Sequence, residues 1–215
     1  MKRSLFYIVL LSIFCCSSCK KDNGAKPSAG NYLPLTNGST WKYNYRSDGG
    51  TADTLIVTMT GENTKINGQT YYGATSTFRK NSSFGYFYAG NHIYATRTAG
   101  GLNPAIELQL LNDTASVGYQ WTTQPTVSGK IGENFVRAVN IIKEKNISRT
   151  IEGKTYTDVI HTQILLQYDF GDGNGYQTNV TYDFYLAKDI GLIENDANTL
   201  DLLFETETLF DYTIK

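Results

Sequence analysis

Residues Phe84–Arg97 read FGYFYAGNHIYATR, and this stretch decides the fold class. Phe84–Ala89 and His92–Arg97 are rich in aromatic and β-branched residues, which favour strands. Between them lies Gly90-Asn91, a two-residue loop of the kind that closes a β-hairpin with a primed turn. The stretch therefore predicts two antiparallel strands joined by a tight turn.

The same strand pattern extends in both directions from this hairpin. In Thr40–Arg46, Trp41, Tyr43 and Tyr45 alternate with polar residues, as in a strand with one buried face. Ala105–Leu111 is apolar and suits either a strand or a short helix. Further strand-like runs are Thr54–Thr60, Thr70–Phe78, Phe135–Lys143, Thr155–Phe170, Tyr176–Leu186 and Leu200–Thr213, with turns at Asn67-Gly68 and Gly171–Gly175.

Composition agrees with one folded domain and excludes two classes of protein. The 215 residues are 40% hydrophobic and 18% charged, which favours a globular fold over disorder. The formal net charge of −1 leaves no basic surplus to neutralise phosphates, so nucleic acid is not an expected partner. No window has sustained helical periodicity. We expect an all-β domain over residues 31–215: an antiparallel curved sheet, partly open barrel or sandwich.

The N-terminus has the pattern of a bacterial export signal. Two cations, Lys2 and Arg3, precede the apolar run Leu5–Cys16, which is too short for a membrane span of about 20 residues. Small residues then lead to Cys19, which resembles a lipobox, although Cys16 stands where leucine is usual. We expect residues 1–18 to be a lipoprotein signal peptide. The alternatives are an uncleaved anchor or cleavage by the ordinary signal peptidase.

Cys19 is accordingly the predicted lipidation site, with acyl chains such as palmitate holding the protein at a membrane. Several acyl chains on one residue give stable anchoring, whereas a single chain binds reversibly. Residues 19–30 are then a lipidated, flexible tether. The start of this tether resembles lipoproteins of the Bacteroidetes, which implies the outer membrane. Asp22 is the only acidic residue near Cys19, so periplasmic and cell-surface orientations both remain open.

Two segments resemble each other within the chain. Ile66–Tyr71 reads INGQTY and Ile151–Tyr156 reads IEGKTY. Each lies between two strand-like runs, so the pair is explained either by a duplicated hairpin unit or by two independent glycine turns.

Two further segments carry a family resemblance. Tyr32–Tyr43 reads YLPLTNGSTWKY and Tyr185–Ile193 reads YLAKDIGLI. They are similar to the opening and closing segments of uncharacterised Bacteroidetes-type lipoproteins, a family that implies no particular activity. Similar closing segments occur in periplasmic β proteins that resemble lipoprotein carriers, which implies a curved sheet around an apolar cavity.

The remaining chemistry is sparse. His92 and His161 match no zinc motif and are expected to be solvent-facing or hydrogen-bonded strand residues. Asp169–Gly175 resembles a calcium loop superficially and is interpreted as a hairpin turn. Trp121 and Tyr119 are candidate ligand-binding aromatics, although rim or core packing is the commoner role. No metal or cofactor is expected.

We therefore expect a membrane-anchored envelope lipoprotein that acts as a non-enzymatic binding or assembly module. Its ligand would be a small molecule, a glycan or a protein. The alternative is a carboxylate-based glycan hydrolase, because such an enzyme needs only two suitably spaced carboxylates. The sequence offers many but selects no pair: Glu107, Asp113, Glu133, Asp158, Asp169, Asp183, Glu205 and Glu207.

Overall fold

The structure is a computed structural model that describes residues 30–100 and 104–215. Predictions for the signal peptide, for Cys19 and for most of the tether lie outside these residues. The described residues form thirteen strands and no helix: β1 (Thr40–Ser47), β2 (Ala52–Ile66), β3 (Gln69–Phe78), β4 (Asn81–Gly90), β5 (Ile93–Thr98), β6 (Glu107–Asn112), β7 (Gln120–Thr123), β8 (Lys130–Ile131), β9 (Asn134–Ile151), β10 (Lys154–Asp169), β11 (Tyr176–Ala187), β12 (Gly191–Thr199) and β13 (Leu203–Thr213). The described residues therefore contain no helix that is long and apolar enough to cross a bilayer.

All the strands belong to one antiparallel sheet in which neighbours in sequence are mostly neighbours in space. Strands β1 to β6 form one meander, β9 to β13 form a second, and pairing of β1 with β13 joins the two. The spatial order begins at β6 and ends at β7, so the sheet is a nearly closed barrel with one seam. This confirms the predicted all-β antiparallel fold and selects the partly open barrel over the sandwich.

Side-chain bonds and one backbone bond, from the amide of Glu107 to the carbonyl of Pro125 at 2.8 Å, bridge the seam in place of a strand ladder. The indole Nε1 of Trp121 on β7 donates to the side-chain oxygen of Gln109 on β6. Lys145 on β9 donates to the carbonyl oxygens of Asp113 and Ala115 at 2.8 and 2.9 Å. These bonds hold the two sheet ends together where strand pairing is missing.

The first hairpin is confirmed with its turn one residue later than predicted. Gly90 still pairs with Ile93, and the turn residues are Asn91 and His92, with φ of 52° and 65°. Asn tolerates this left-handed conformation. Gly90 is needed instead for close packing, because a Cβ there would lie 2.8 Å from the hydroxyl oxygen of Tyr88.

The two similar segments form the same kind of turn. Asn67-Gly68 joins β2 to β3 with φ of 50° and 81°, and Glu152-Gly153 joins β9 to β10 with φ of 49° and 77°. Positive φ at both central residues is the signature of a type I′ turn. This shared geometry is enough to explain the similarity, and duplication of a hairpin unit stays a hypothesis.

Three other segments take forms that the sequence predicted, including the hairpin turn at Asp169–Gly175. Ala105–Leu111, which suited strand or helix, contributes to strand β6. Leu200–Thr213 is a turn followed by the single strand β13. The connection from β10 to β11 spans residues 170–175, and the carboxylate of Asp172 accepts hydrogen bonds from Asn174 within it and from Gln177 on β11.

The tip of the β9–β10 hairpin, residues 147–156, folds back across the outside of the barrel. Arg149 forms an ion pair with Glu194 on β12, and its guanidinium carbon lies 3.5 Å from the ring centre of Tyr185 on β11. Further along, Thr208 on β13 donates to Glu152 at 2.8 Å. Tyr185 pairs with Glu194, and Glu194 with Thr208, so these partners form one row on one face.

Candidate functional site

An apolar cavity of about 290 Å³ lies inside the barrel. Its position follows from strand alternation: Trp41 and Tyr43 on β1 face inward, opposite Val57 and Leu55 on β2. Most of the lining is aliphatic or aromatic: Leu33, Leu35, Trp41, Leu55, Val57, Met59, Phe87, Leu108, Leu110, Phe184 and Leu192. A space with such walls suits an apolar ligand.

The segment just before β1 contributes part of the cavity wall. Leu33 and Leu35 line the cavity, and Leu33 is only 5% exposed. The hydroxyl of Tyr94 on β5 donates to the carbonyl oxygen of Gly30 at 3.2 Å. The backbone amide of Asp189, between β11 and β12, donates to the carbonyl oxygen of Asn31 at 2.8 Å. Because β5 and β11 lie far apart in the sheet order, residues 30–35 cross the barrel at the end where β1 begins.

One region of the cavity wall is polar. Asn195 on β12 lies directly opposite Glu207 on β13, and its Nδ2 donates to the Glu207 carboxylate at 3.3 Å. The Oδ1 atom of Asn195 is buried and has no hydrogen-bond partner among the described residues. Burial raises the pKa of Glu207; the bond from Asn195 partly offsets this, and nearby Glu205 raises the pKa further. The remaining polar lining consists of Tyr43, Ser76, Thr96 and Tyr182.

Sequence reasoning did not single out this polar pair. Glu207 was one of many carboxylates, and Asn195 was not considered. Strand alternation could have indicated that Glu207 faces inward, because it lies on the same face of β13 as the buried Leu209 two residues later. Knowing that Asn195 is its neighbour requires the β12–β13 register, which no local pattern specifies.

The predicted aromatics lie away from the cavity. Tyr119 and Trp121 stack with ring centres 5.9 Å apart beside the seam, where Tyr119 is 50% exposed. Trp121 packs against buried core residues while its indole bonds to Gln109. The structure therefore brings the two rings together and gives Trp121 a structural contact, and their role in ligand binding stays a prediction.

Both histidines are hydrogen-bonded to carboxylates, but only His161 lies on a strand, and the expectation of a strand position for His92 was wrong. His92 Nδ1 lies 2.8 Å from Asp113, in the turn between β4 and β5. His161, on β10, is 8% exposed; its nitrogens lie 3.2 Å from Glu144 and 2.7 Å from Asp183. Its ring also stacks on Tyr185 with centres 4.2 Å apart. Across residues 30–100 and 104–215, no group of three or more His, Cys, Asp or Glu side chains is arranged to hold a metal ion.

Several carboxylates from the sequence survey have protein partners. Glu107 accepts a hydrogen bond from Tyr71 and pairs with Arg97, and Glu205 accepts one from the hydroxyl of Tyr45. On the outer face, Asp183 lies directly opposite Asp196 across β11 and β12. Asp183 and Asp196 are therefore the neighbouring carboxylates that a glycan hydrolase could use, and the hydrolase alternative stays a hypothesis.

Comparison with known proteins identifies the fold. No family model matches the chain, and no curated protein is similar to it. Two crystal structures are similar in fold: a predicted lipoprotein of Parabacteroides distasonis and a predicted exported protein of Bacteroides fragilis with a YmcC-like fold. The first is 12% identical, has a TM-score of 0.52 and covers 87% of this chain and 100% of its own. The second is 8% identical, has a TM-score of 0.52 and covers 86% and 100%.

These similarities define the class of protein as an all-β fold found in Bacteroidetes proteins assigned to export or lipid anchoring. At this level of identity they establish a shared fold and no shared activity.

Proposed function

We propose that this protein is a lipid-anchored lipoprotein of the bacterial outer membrane that binds an apolar small molecule inside its barrel. The apolar cavity carries the proposal: a folded core is normally packed without space, and leaving about 290 Å³ empty forgoes contact energy. A cavity near the lower end of the usual ligand range suits a small apolar ligand. We propose binding rather than catalysis as its role.

The membrane anchor is a separate part of the proposal. It is supported by the charge, apolar length and small residues before Cys19. The fold shared with a predicted lipoprotein and a predicted exported protein agrees with an envelope location. A chain whose residues 1–19 are replaced by a signal peptide that the ordinary signal peptidase removes tests it: we expect the protein to leave the membrane fraction. Retention at the membrane, or a wild-type protein without acyl groups by mass spectrometry, would overturn it. Protease treatment of whole cells then distinguishes the two orientations.

Ligand binding is testable with the protein's own fluorescence. Trp41 lines the cavity, and Trp121 is the only other tryptophan of the chain. In the chain that begins at Lys20, which lacks both the signal segment and Cys19 and so needs no detergent, Trp121→Phe leaves Trp41 as the reporter. We expect decanol to change the Trp41 emission in a saturable way.

Two neighbouring substitutions locate the binding. Ser76 lines the cavity, whereas Thr77, next on β3, lies on the opposite face. Ser76→Phe should fill the cavity and weaken decanol binding at least about tenfold, or by about 1.4 kcal/mol. Thr77→Phe introduces the same side chain outside and should leave binding unchanged. Unaltered binding in folded Ser76→Phe, or no saturable change in the wild type, contradicts the proposal.

A further inference from the structure

We propose that the cavity selects amphiphiles whose head group carries a hydrogen-bond donor and no negative charge, an amine or an alcohol, which binds at Asn195 and Glu207. This inference rests on the proposed function, because it specifies which apolar ligands the same cavity accepts. It excludes fatty acids and other anionic amphiphiles as preferred ligands.

The charge of the lining carries the first step. Glu207 is the only acidic residue among the lining residues, and no Lys, Arg or His from the described parts of the chain lines the cavity. An ionised carboxylate or phosphate placed there would meet a like charge and find no cation to offset its desolvation. An ammonium group would instead pair with Glu207, and a hydroxyl would donate to it.

The unfilled hydrogen-bonding capacity carries the second step. Asn195 Oδ1 is a buried acceptor without a partner among the described residues, while its Nδ2 is already engaged by Glu207. Buried polar atoms are nearly always hydrogen-bonded, and the exceptions are frequent at functional sites. Asn195 lines the cavity, so a small rotation of its side chain would let an amine or an alcohol in the cavity supply the donor that this oxygen lacks. The hydroxyls of Ser76, Thr96 and Tyr182 both donate and accept, so they do not discriminate between head groups.

The position of the pair makes the selection specific. Asn195 and Glu207 are directly paired residues inside two long, neighbouring strands, so their backbone positions are fixed by the ladder. The raised pKa of Glu207 indicates that the cavity holds its negative charge poorly without a cationic or donating partner. Scaled from a cavity of about 150 Å³ that holds benzene, the available space accommodates about ten carbon atoms.

Three ligands of equal chain length test the inference: decylamine, decanol and decanoate, each titrated near neutral pH against the Trp41 reporter protein. We expect decylamine and decanol to bind at least about tenfold more tightly than decanoate. Glu207→Gln removes the charge but keeps the shape, and should reduce the preference for decylamine over decanoate at least about fivefold.

Asp211→Asn is the matched control. Asp211 lies four residues later on β13, does not line the cavity, and pairs with Lys42 at an exposed position. The same loss of charge there should leave the ligand preference within about twofold of the wild type. Decanoate binding as tightly as decylamine, or equal effects of the two substitutions, overturns the selectivity while the proposed apolar binding stands. If none of the three ligands binds, the proposed function itself is wrong.

Discussion

Replacing Arg149 with Met should destabilise the protein by about 2–3 kcal/mol, because Arg149 holds the β9–β10 tip against the outside of the barrel. The side chains of Arg149 and Glu194 are 30% and 12% exposed, so water screens their ion pair only in part. A hydrogen bond to a charged group contributes about 1.5–3 kcal/mol, and the contact with Tyr185 adds about 0.5–1 kcal/mol. Met preserves much of the aliphatic packing, so the loss reports the charge.

The same hairpin tip contains a weaker ion pair that serves as a control. Arg46 and Glu152 are 3.8 Å apart, and the Arg46 side chain is 60% exposed. Exposed pairs of this kind contribute about 0–1 kcal/mol. Arg46→Met should therefore cost less than about 0.5 kcal/mol.

Urea unfolding followed by circular dichroism measures both losses, and thermal unfolding should show a midpoint lower by about 5–10 °C for Arg149→Met. Hydrogen exchange should accelerate in residues 147–156 first. The double variant Arg149→Met with Glu194→Gln should recover part of the loss, since no unpaired carboxylate is then left. Equal, small losses for Arg149→Met and Arg46→Met would refute the reasoning and show that other contacts hold the tip.

Three further predictions concern single groups. Tyr43→Phe removes a hydroxyl that donates to the carbonyl of Leu192 at 3.0 Å, and chemical unfolding should show a loss of about 1–2 kcal/mol. Glu207→Gln should stabilise the protein at neutral pH but not near pH 4. The pKa of Glu207 is raised in the folded state, so its ionisation favours the unfolded state as the pH rises. The free energy of unfolding of the wild type and of the variant, measured from pH 4 to pH 7, should therefore diverge as the pH rises. Gly68→Ala and Gly153→Ala should each lower the free energy of unfolding by about 1–2 kcal/mol, because φ is positive at both positions. No atom lies within 4 Å of either added Cβ, so the loss reports backbone conformation and not a clash.

The strand-like runs of the sequence correspond to ten of the thirteen strands and omit β7, β8 and β12. The alternation of Trp41 and Tyr43 predicted an inward face of β1, and both are buried, at 5% and 4% exposure. Asn67-Gly68 predicted a tight turn because Asn and Gly accept positive φ, and the structure has one there. The turn after Tyr88 was placed one residue early because the need for Gly90 is a packing contact, which a turn rule does not contain.

The candidate site depends on strand register, and for this reason the sequence did not predict it. Asn195 and Glu207 are separated by twelve positions and a turn, and they meet only because β12 and β13 pair in one particular alignment. A shift of one residue would turn Glu207 outward and make it an ordinary surface carboxylate. The contacts of His161 depend likewise on the register of β10 with β9 and β11.

The cavity wall and the proposed anchor are connected through one short segment. Leu33 and Leu35 touch the cavity, and the chain preceding Gly30 leads to Cys19, eleven residues earlier. A ligand in the cavity would therefore contact the first described part of the chain that leads to the membrane, and its contacts with Leu33 and Leu35 would stabilise residues 30–35 against opening. Since these residues cross the barrel at the end where β1 begins, the proposed tether leaves from that end.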